Sequence, residues 1–109
     1  MTEHRLQTLA DLADAIASHR GLAPEDSYTA RLLSQGVEKC AKKLGEEAIE
    51  VALAAVSGDK RHIVAESADV LYHLLVLLAA SDVPVADVMS ELERRKGVSG
   101  LAEKASRKG

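Results

Sequence analysis

Residues 37–80 decide the fold, and they read VEKCAKKLGEEAIEVALAAVSGDKRHIVAESADVLYHLLVLLAA. Apolar residues recur at helical spacing from Val37 to Val56, and again from Arg61 to Ala80. The segment between them, Ser57-Gly58-Asp59-Lys60, has the composition of a turn. The second helix is apolar almost all the way round from Val70 to Ala80, so we expect it to be central. The stretch therefore predicts an antiparallel pair of helices.

Shorter helical patterns precede this pair. Leu9, Leu12, Ala13 and Ile16 share one helix face, with Thr8 as a candidate N-cap and Gly21 as a stop. Ser27 is placed to cap a short helix that covers Tyr28 to Gln35. The first of these segments is therefore predicted to be an amphipathic helix, and the second a short helical piece.

A further helix is expected after the pair, because Pro84 suits a first helical turn. Val85, Val88, Met89 and Leu92 give this helix one apolar stripe. Gly97 and Gly100 then interrupt the pattern, so we expect the basic tail, about 98–109, to be flexible. No segment shows a strand pattern, and the sequence predicts one all-α domain over residues 1–109.

The composition excludes several classes of protein. The chain has 109 residues, of which 47% are hydrophobic and 2% aromatic, which argues against disorder, a β-sandwich and an aromatic platform for single-stranded nucleic acid. The net charge of -3 gives no reason to expect nucleic acid or an anionic membrane as partner. The single cysteine, Cys40, allows neither an internal disulfide nor a cysteine-based zinc site in one chain. Since the run from Leu74 to Ala80 is too short to cross a bilayer and the N-terminus lacks a signal pattern, we expect a cytoplasmic protein.

Two acidic pairs lie at matched distances from the predicted turn. Glu47 and Glu50 share one helix face, as do Glu66 and Asp69. At 1.5 Å per residue, Glu50 and Glu66 both lie about 12 Å from the turn, so the hairpin sets them level with each other. Such pairs are usually solvated surface. If the two faces rotate toward each other, the carboxylates repel unless a hard cation, Mg²⁺ or Mn²⁺, lies among them.

The motif Glu46-Glu47-x-x-Glu50, followed after 15 residues by Glu66-x-x-Asp69, resembles the signature of the all-α MazG-like nucleotide pyrophosphohydrolases. The chain is similar, more narrowly, to the phosphoribosyl-ATP pyrophosphatase family of histidine biosynthesis. The segments that narrow the resemblance are Ser27-Tyr28-Thr29 and Ser99-Gly100-Leu101.

The resemblance implies a Mg²⁺-dependent hydrolysis of phosphoribosyl-ATP to the AMP derivative and pyrophosphate. It implies a small nucleotide substrate and a helix bundle of MazG-like type that is completed by homodimerisation. It makes Glu47, Glu50, Glu66 and Asp69 the metal ligands. Glu46 and Glu47 are the candidate catalytic residues, and Glu46 could orient or deprotonate the attacking water.

Cations near the acidic pairs are candidates for holding substrate phosphates. They are Lys43, Arg94, Arg95 and Lys104. Ordinary helix ion pairing explains Lys43 as well, and the helix dipole explains positive charge at a helix end. Two other functions stay open: a house-cleaning pyrophosphohydrolase of nucleoside triphosphates, and a non-enzymatic helical oligomerisation module.

Overall fold

A computed structural model describes residues 2–98 and 100–107. Within them the chain forms six α-helices and no strand, which confirms the predicted all-α fold. The helices are α1 (Thr2–Ser18), α2 (Tyr28–Ser34), α3 (Val37–Ser57), α4 (Lys60–Ala80), α5 (Val85–Arg95) and α6 (Gly100–Arg107). One 3₁₀ turn, His19–Gly21, extends α1.

The predicted hairpin is formed by α3 and α4, which pack along each other. Gly58 ends α3 with φ 79°, a left-handed conformation that glycine adopts without steric cost. The Asp59 carboxylate accepts hydrogen bonds from the backbone N–H groups of Arg61 and His62. It thereby caps the first turn of α4, because these amides have no partner within the helix.

Helix α4 is the centre of the domain, as its apolar sequence predicts. Helices α1, α2 and α3 all pack against it. The buried core joins one or more residues of each of these helices: Ile16, Leu32, Cys40, Leu75 and Val76. Cys40 behaves as a small apolar residue, since burial raises its pKa and its thiol donates to the Leu32 carbonyl at 3.2 Å.

The Ser27-Tyr28-Thr29 segment anchors α2. The Ser27 hydroxyl accepts from the Ala30 amide at 3.0 Å, so the predicted N-cap is confirmed. The Thr29 hydroxyl lies 2.5 Å from the Tyr72 hydroxyl of α4. The rings of Tyr28 and Tyr72 lie nearly parallel, with centroids 6.3 Å apart. These contacts fix α2 over the α3–α4 hairpin.

One prediction about helix boundaries is wrong. Thr8 is not an N-cap, because α1 begins at Thr2 and Thr8 lies within it. Within the tail that the sequence predicts to be flexible, residues 100–107 form α6 beginning at Gly100, and the flexibility of the tail stays a prediction. Alanine, glutamate, lysine and arginine after Gly100 have high helix propensity, which outweighs the glycine at the helix start.

Helix α4 is long and apolar enough to pass a test for membrane spans by length and composition. Core helices of soluble proteins pass the same test. Here α4 carries Glu66 and Asp69 and has three other helices packed on it. We therefore assign it to the core of a soluble domain.

Candidate active site

Three of the four predicted metal ligands converge between α3 and α4. One carboxylate oxygen from each of Glu47, Glu66 and Asp69 lies within 4.8 Å of the other two. The hairpin sets these residues level with each other, as the sequence predicts. The packing of α3 on α4 also rotates the acidic faces together, which helical spacing alone does not determine.

Burial and like charge make the Glu47 carboxylate costly to ionise. The residue is 8% exposed. Burial raises its pKa, and the nearby carboxylates of Glu50 and Asp69 raise it further, while His73 and Lys43 lower it. A cation among the three carboxylates would reverse this balance.

Glu66 has a carboxylate oxygen beside Glu47 and Asp69 that accepts no hydrogen bond from the described residues. Its Oε1 is buried and has no hydrogen-bond partner among the described residues. Its Oε2 lies 3.2 Å from the His62 Nε2. A buried carboxylate oxygen is rarely left without a partner, so an unpaired one beside two other carboxylates is an acceptor that a bound cation would satisfy.

The donor set fits a hard divalent cation. All three groups are carboxylates, the ligands that Mg²⁺ and Mn²⁺ prefer. Their oxygens are close enough together to share one ion, and Glu66 supplies an acceptor that nothing in the described chain satisfies. The residues present therefore fit the metal that the sequence motif predicts.

Glu50 and Glu46 lie at the edge of this cluster. Glu50 is exposed and is not one of the three converging carboxylates, although its charge contributes to the raised pKa of Glu47. Glu46 is exposed, and its Oε1 lies 3.9 Å from the Lys43 Nζ. The same Nζ lies 4.0 Å from the Glu47 Oε2. Lys43 thus sits at the border of the cluster, and the metal role of Glu50 stays a prediction.

His73 supports the cluster from the core side. The ring is 7% exposed, and its Nδ1 lies 2.8 Å from the Asp69 backbone carbonyl. Since a carbonyl only accepts, Nδ1 carries a proton. The rings of Tyr72 and Tyr28 meet the imidazole edge to face, at centroid distances of 5.0 and 6.4 Å. The side chain is therefore held in place one helical turn after Asp69.

The other predicted substrate cations lie on later helices. Arg94 and Arg95 end α5, and both donate to Glu91, at 2.7 and 2.9 Å. These hydrogen bonds lower the pKa of Glu91 from 4.5 to about 2. Lys104 is exposed on α6. Their role in binding substrate stays a prediction.

A second feature lies beside the cluster, and the sequence indicates only the side of it that α3 provides. A cleft of about 220 Å³ between α2 and α3 is lined by Arg31, Lys39, Lys42, Lys43 and Glu46, among others. Lys39, Lys42, Lys43 and Glu46 fall at i, i+3, i+4 and i+7, a signal of one shared helix face. Arg31 joins them only through the packing of α2 on α3. We name this feature the basic cleft.

Comparison with known proteins assigns the chain to a family. The family model for phosphoribosyl-ATP pyrophosphohydrolase matches residues 9–96. The chain is 56% identical over 102 residues to the phosphoribosyl-ATP pyrophosphatase of Dinoroseobacter shibae, which covers 94% of this chain and 100% of that protein. It is 61% identical over 101 residues to the enzyme of the same name from Methylobacterium radiotolerans, with 93% and 94% covered.

The phosphoribosyl-ATP pyrophosphatase of Paracoccus denitrificans gives the same result, at 58% identity over 97 residues, or 89% and 90% of the two chains. The match is nearly full-length in each case, and it includes both helices that carry the carboxylates. The resemblance drawn from the sequence motifs is confirmed. This chain belongs to the phosphoribosyl-ATP pyrophosphohydrolase family of hydrolases.

Proposed function

We propose that this chain hydrolyses phosphoribosyl-ATP to phosphoribosyl-AMP and pyrophosphate in histidine biosynthesis. The observation that carries the proposal is the convergence of Glu47, Glu66 and Asp69, in a chain of this family, on a site suited to a hard cation. In the reaction a water oxygen bonds to a phosphorus of the triphosphate. The anhydride bond breaks, and the electron pair leaves with the departing phosphate oxygen.

The three carboxylates would hold Mg²⁺, with Mn²⁺ as an alternative, and the exposed Glu50 is the proposed fourth ligand. When bound, the ion neutralises polyphosphate charge and acidifies or positions water. Glu46 is exposed beside the cluster, so its carboxylate is available to orient the attacking water and accept its proton. Because Glu47 lies in the cluster itself, it would act mainly by holding the ion.

Cations complete the proposed site. The ammonium group of Lys43 lies at the border of the carboxylate cluster, where it would contact a substrate phosphate. We propose that Arg94, Arg95 and Lys104 contribute from α5 and α6. Glu91 holds the two arginine side chains in one place, which reduces the entropy lost when they bind a phosphate.

We further propose that the protein is a homodimer or higher homo-oligomer. An apolar stripe is exposed along the hairpin: Ile49, Leu53 and Val56 on α3, and Val64 and Leu71 on α4, at 47–87% exposure. The α3 members repeat at i, i+4 and i+7, so they share a face, about 180–240° round the helix from Glu47. A second copy of the hairpin would cover the stripe without covering Glu47, while Glu46 and Glu50, on the stripe's side of α3, would border the interface. We also propose a cytoplasmic location, which is where a biosynthetic enzyme acting on a nucleotide would find its substrate.

The deciding experiment is pyrophosphate release from phosphoribosyl-ATP, with and without Mg²⁺, beside ATP, dCTP and dUTP. We expect turnover of phosphoribosyl-ATP only, and only with Mg²⁺. Glu47→Gln and Asp69→Asn should each abolish turnover while the circular dichroism spectrum stays helical. Glu38→Gln removes the same charge from an exposed position of α3 and should keep full activity.

The other outcomes choose between the alternatives. A preference for an ordinary nucleotide would replace the proposed substrate by that of a house-cleaning pyrophosphohydrolase. A folded sample that is silent on every substrate would point to a non-enzymatic helical module. Full turnover by both Glu47→Gln and Asp69→Asn would refute the ligand assignment.

A further inference from the structure

The basic cleft carries more positive charge than its helices need. It is lined by four cations and one carboxylate, in a chain whose net charge is -3. Lys39 precedes Lys42 and Lys43 by three and four residues, and like charges at this spacing destabilise a helix. Helix stability therefore does not explain why these lysines lie together on α3.

Most of these cations have no ion-pair partner. Among the described residues, no carboxylate oxygen lies within 4.0 Å of the charged groups of Arg31, Lys39 or Lys42. Lys43 alone is paired, and its partners are the Glu46 and Glu47 carboxylates at the edge of the metal cluster. Unpaired cations that line one concave space create a local positive potential, which favours a polyanion.

The size of the cleft limits the ligand. Its volume of about 220 Å³ is below the roughly 300–1,000 Å³ of pockets that enclose a drug-sized ligand. A whole nucleotide does not fit, but one or two phosphate groups do. The guanidinium of Arg31 suits two oxygens of one phosphate, and the lysine ammonium groups suit the remaining charge.

The position of the cleft indicates which phosphate groups of the substrate it would bind. Lys43 and Glu46 line the cleft and also border the metal cluster, so the cleft and the cluster are adjacent. The bond to be broken lies at the metal cluster, and the departing diphosphate is joined directly to it. The phosphate of the phosphoribosyl group is attached through the ribose and the adenine ring, on the far side of the α-phosphate.

We infer that the basic cleft, through Arg31, Lys39 and Lys42 together with Lys43, binds the diphosphate that leaves as pyrophosphate. Its identity as the leaving group rests on the proposed function with the water attacking the α-phosphorus, so that the electron pair of the broken bond leaves on the diphosphate. Arg31 and Lys39 then stabilise charge as it develops on the departing diphosphate, and they hold the product after cleavage. In an in-line displacement the water attacks from the side of the phosphorus opposite the leaving group, so neither residue contacts it. Glu46 lies both in the cleft and at the border of the metal cluster, so it can act on the water only from that border.

The test compares inhibition by the two products. Arg31→Gln and Lys39→Gln should each weaken inhibition by inorganic pyrophosphate at least about tenfold, the loss of one charge-assisted contact. Inhibition by phosphoribosyl-AMP, which lacks the diphosphate, should change less than about twofold. Lys60→Gln removes one exposed cation outside the cleft and should leave both inhibition constants unchanged. Melting curves of all three variants confirm folding.

Two results would overturn the inference. Pyrophosphate inhibition within twofold of the Lys60→Gln control would show that the cleft does not hold the diphosphate. A selective loss of phosphoribosyl-AMP inhibition would assign the cleft to the ribosyl phosphate instead.

Calorimetric titration of inorganic pyrophosphate in Mg²⁺ needs no turnover and keeps the two proposals separate. Binding that depends on Arg31, in a protein that does not hydrolyse phosphoribosyl-ATP, would refute the proposed function and retain a diphosphate cleft. Hydrolysis of phosphoribosyl-ATP together with pyrophosphate binding that does not depend on Arg31 would support the proposed function and refute the diphosphate cleft.

Discussion

Glu47 is the residue of the site whose ionised form is least favoured by its surroundings. It is buried, its pKa is raised by burial and by Glu50 and Asp69, and its neighbours are mostly acidic. An acid whose pKa is higher in the folded than in the unfolded state reduces stability once the pH exceeds the unfolded value. Near neutral pH the ionised carboxylate therefore lowers the stability of the fold without a cation, and it is in the form that binds one.

Removing the charge of Glu47 should stabilise the protein in the absence of divalent cations. We expect Glu47→Gln to raise the free energy of unfolding in EDTA by about 1 kcal/mol, the size of a few like-charge contacts. Adding Mg²⁺ should raise the melting temperature of the unaltered protein but not that of the variant. Urea denaturation and thermal melts measure the two effects.

Glu38→Gln again provides the matched control, and its response to Mg²⁺ should equal that of the unaltered chain. A Glu47→Gln variant that keeps the full Mg²⁺ response would show that Glu47 does not bind the ion.

At the scale of helices, periodicity predicted most of what the structure contains. The α3–α4 hairpin, its turn and the Ser27 cap follow from local rules, because each depends on neighbours in the chain. The start of α1 and the existence of α6 do not follow from these rules. Thr8 has the residue type of an N-cap but lies inside α1, and Gly100 has that of a helix breaker but begins α6. The basic cleft could not be predicted from one helix at a time, because Arg31 meets Lys39 only when α2 docks on α3.

Gly45 shows that α3 tolerates a weak helix former. A glycine inside a helix can allow a kink or a close approach, but α3 continues through Gly45, and no atom would lie within 4 Å of an added Cβ. Gly45→Ala should therefore increase the free energy of unfolding by about 0.5–1 kcal/mol, measured by urea denaturation. A loss of stability would mean that another molecule, such as a second copy, approaches Gly45 in solution.

Helix α5 should respond to acid through Glu91. Its pKa is lowered to about 2 by hydrogen bonds from Arg94 and Arg95. A group with a lowered pKa stabilises the fold above its unfolded value of 4.5, and that contribution disappears as the pH falls toward 2. Thermal melts from pH 5 to pH 2 should therefore show a steeper loss of stability in the unaltered chain than in Glu91→Gln. Equal slopes would mean that the ion pairs contribute nothing in solution.

At the scale of the whole molecule, the two faces of the hairpin differ in their surroundings. One face contributes to the core and carries the three converging carboxylates, and the other exposes the apolar stripe from Ile49 to Leu71. A chain of 109 residues leaves much of its apolar surface exposed, so a second copy is an effective way to bury it.

Leu53→Asp should separate an interface from ordinary surface. In a monomer the substitution would change stability by no more than about 0.5 kcal/mol, because Leu53 is 64% exposed. In an oligomer it buries a charge, so light scattering should show dissociation, and the melting temperature should fall. Leu101→Asp, at an 84% exposed position of α6, is the matched control and should change neither. A monomeric mass for the unaltered chain at micromolar concentration would contradict the oligomer proposal.

The carboxylates sit on the same two helices that build the core. Cys40 and Ala54 of α3, and Leu75 and Val76 of α4, are buried on the helices that carry Glu47, Glu66 and Asp69. Moving α3 away from α4 would therefore part the core, so opening of this helix pair should cost more than fraying at a helix end. A bound ion would leave by exchange of its ligands at the solvent side, where Asp69 is exposed, and the amide hydrogens of α3 and α4 behind the site should be among the last to exchange.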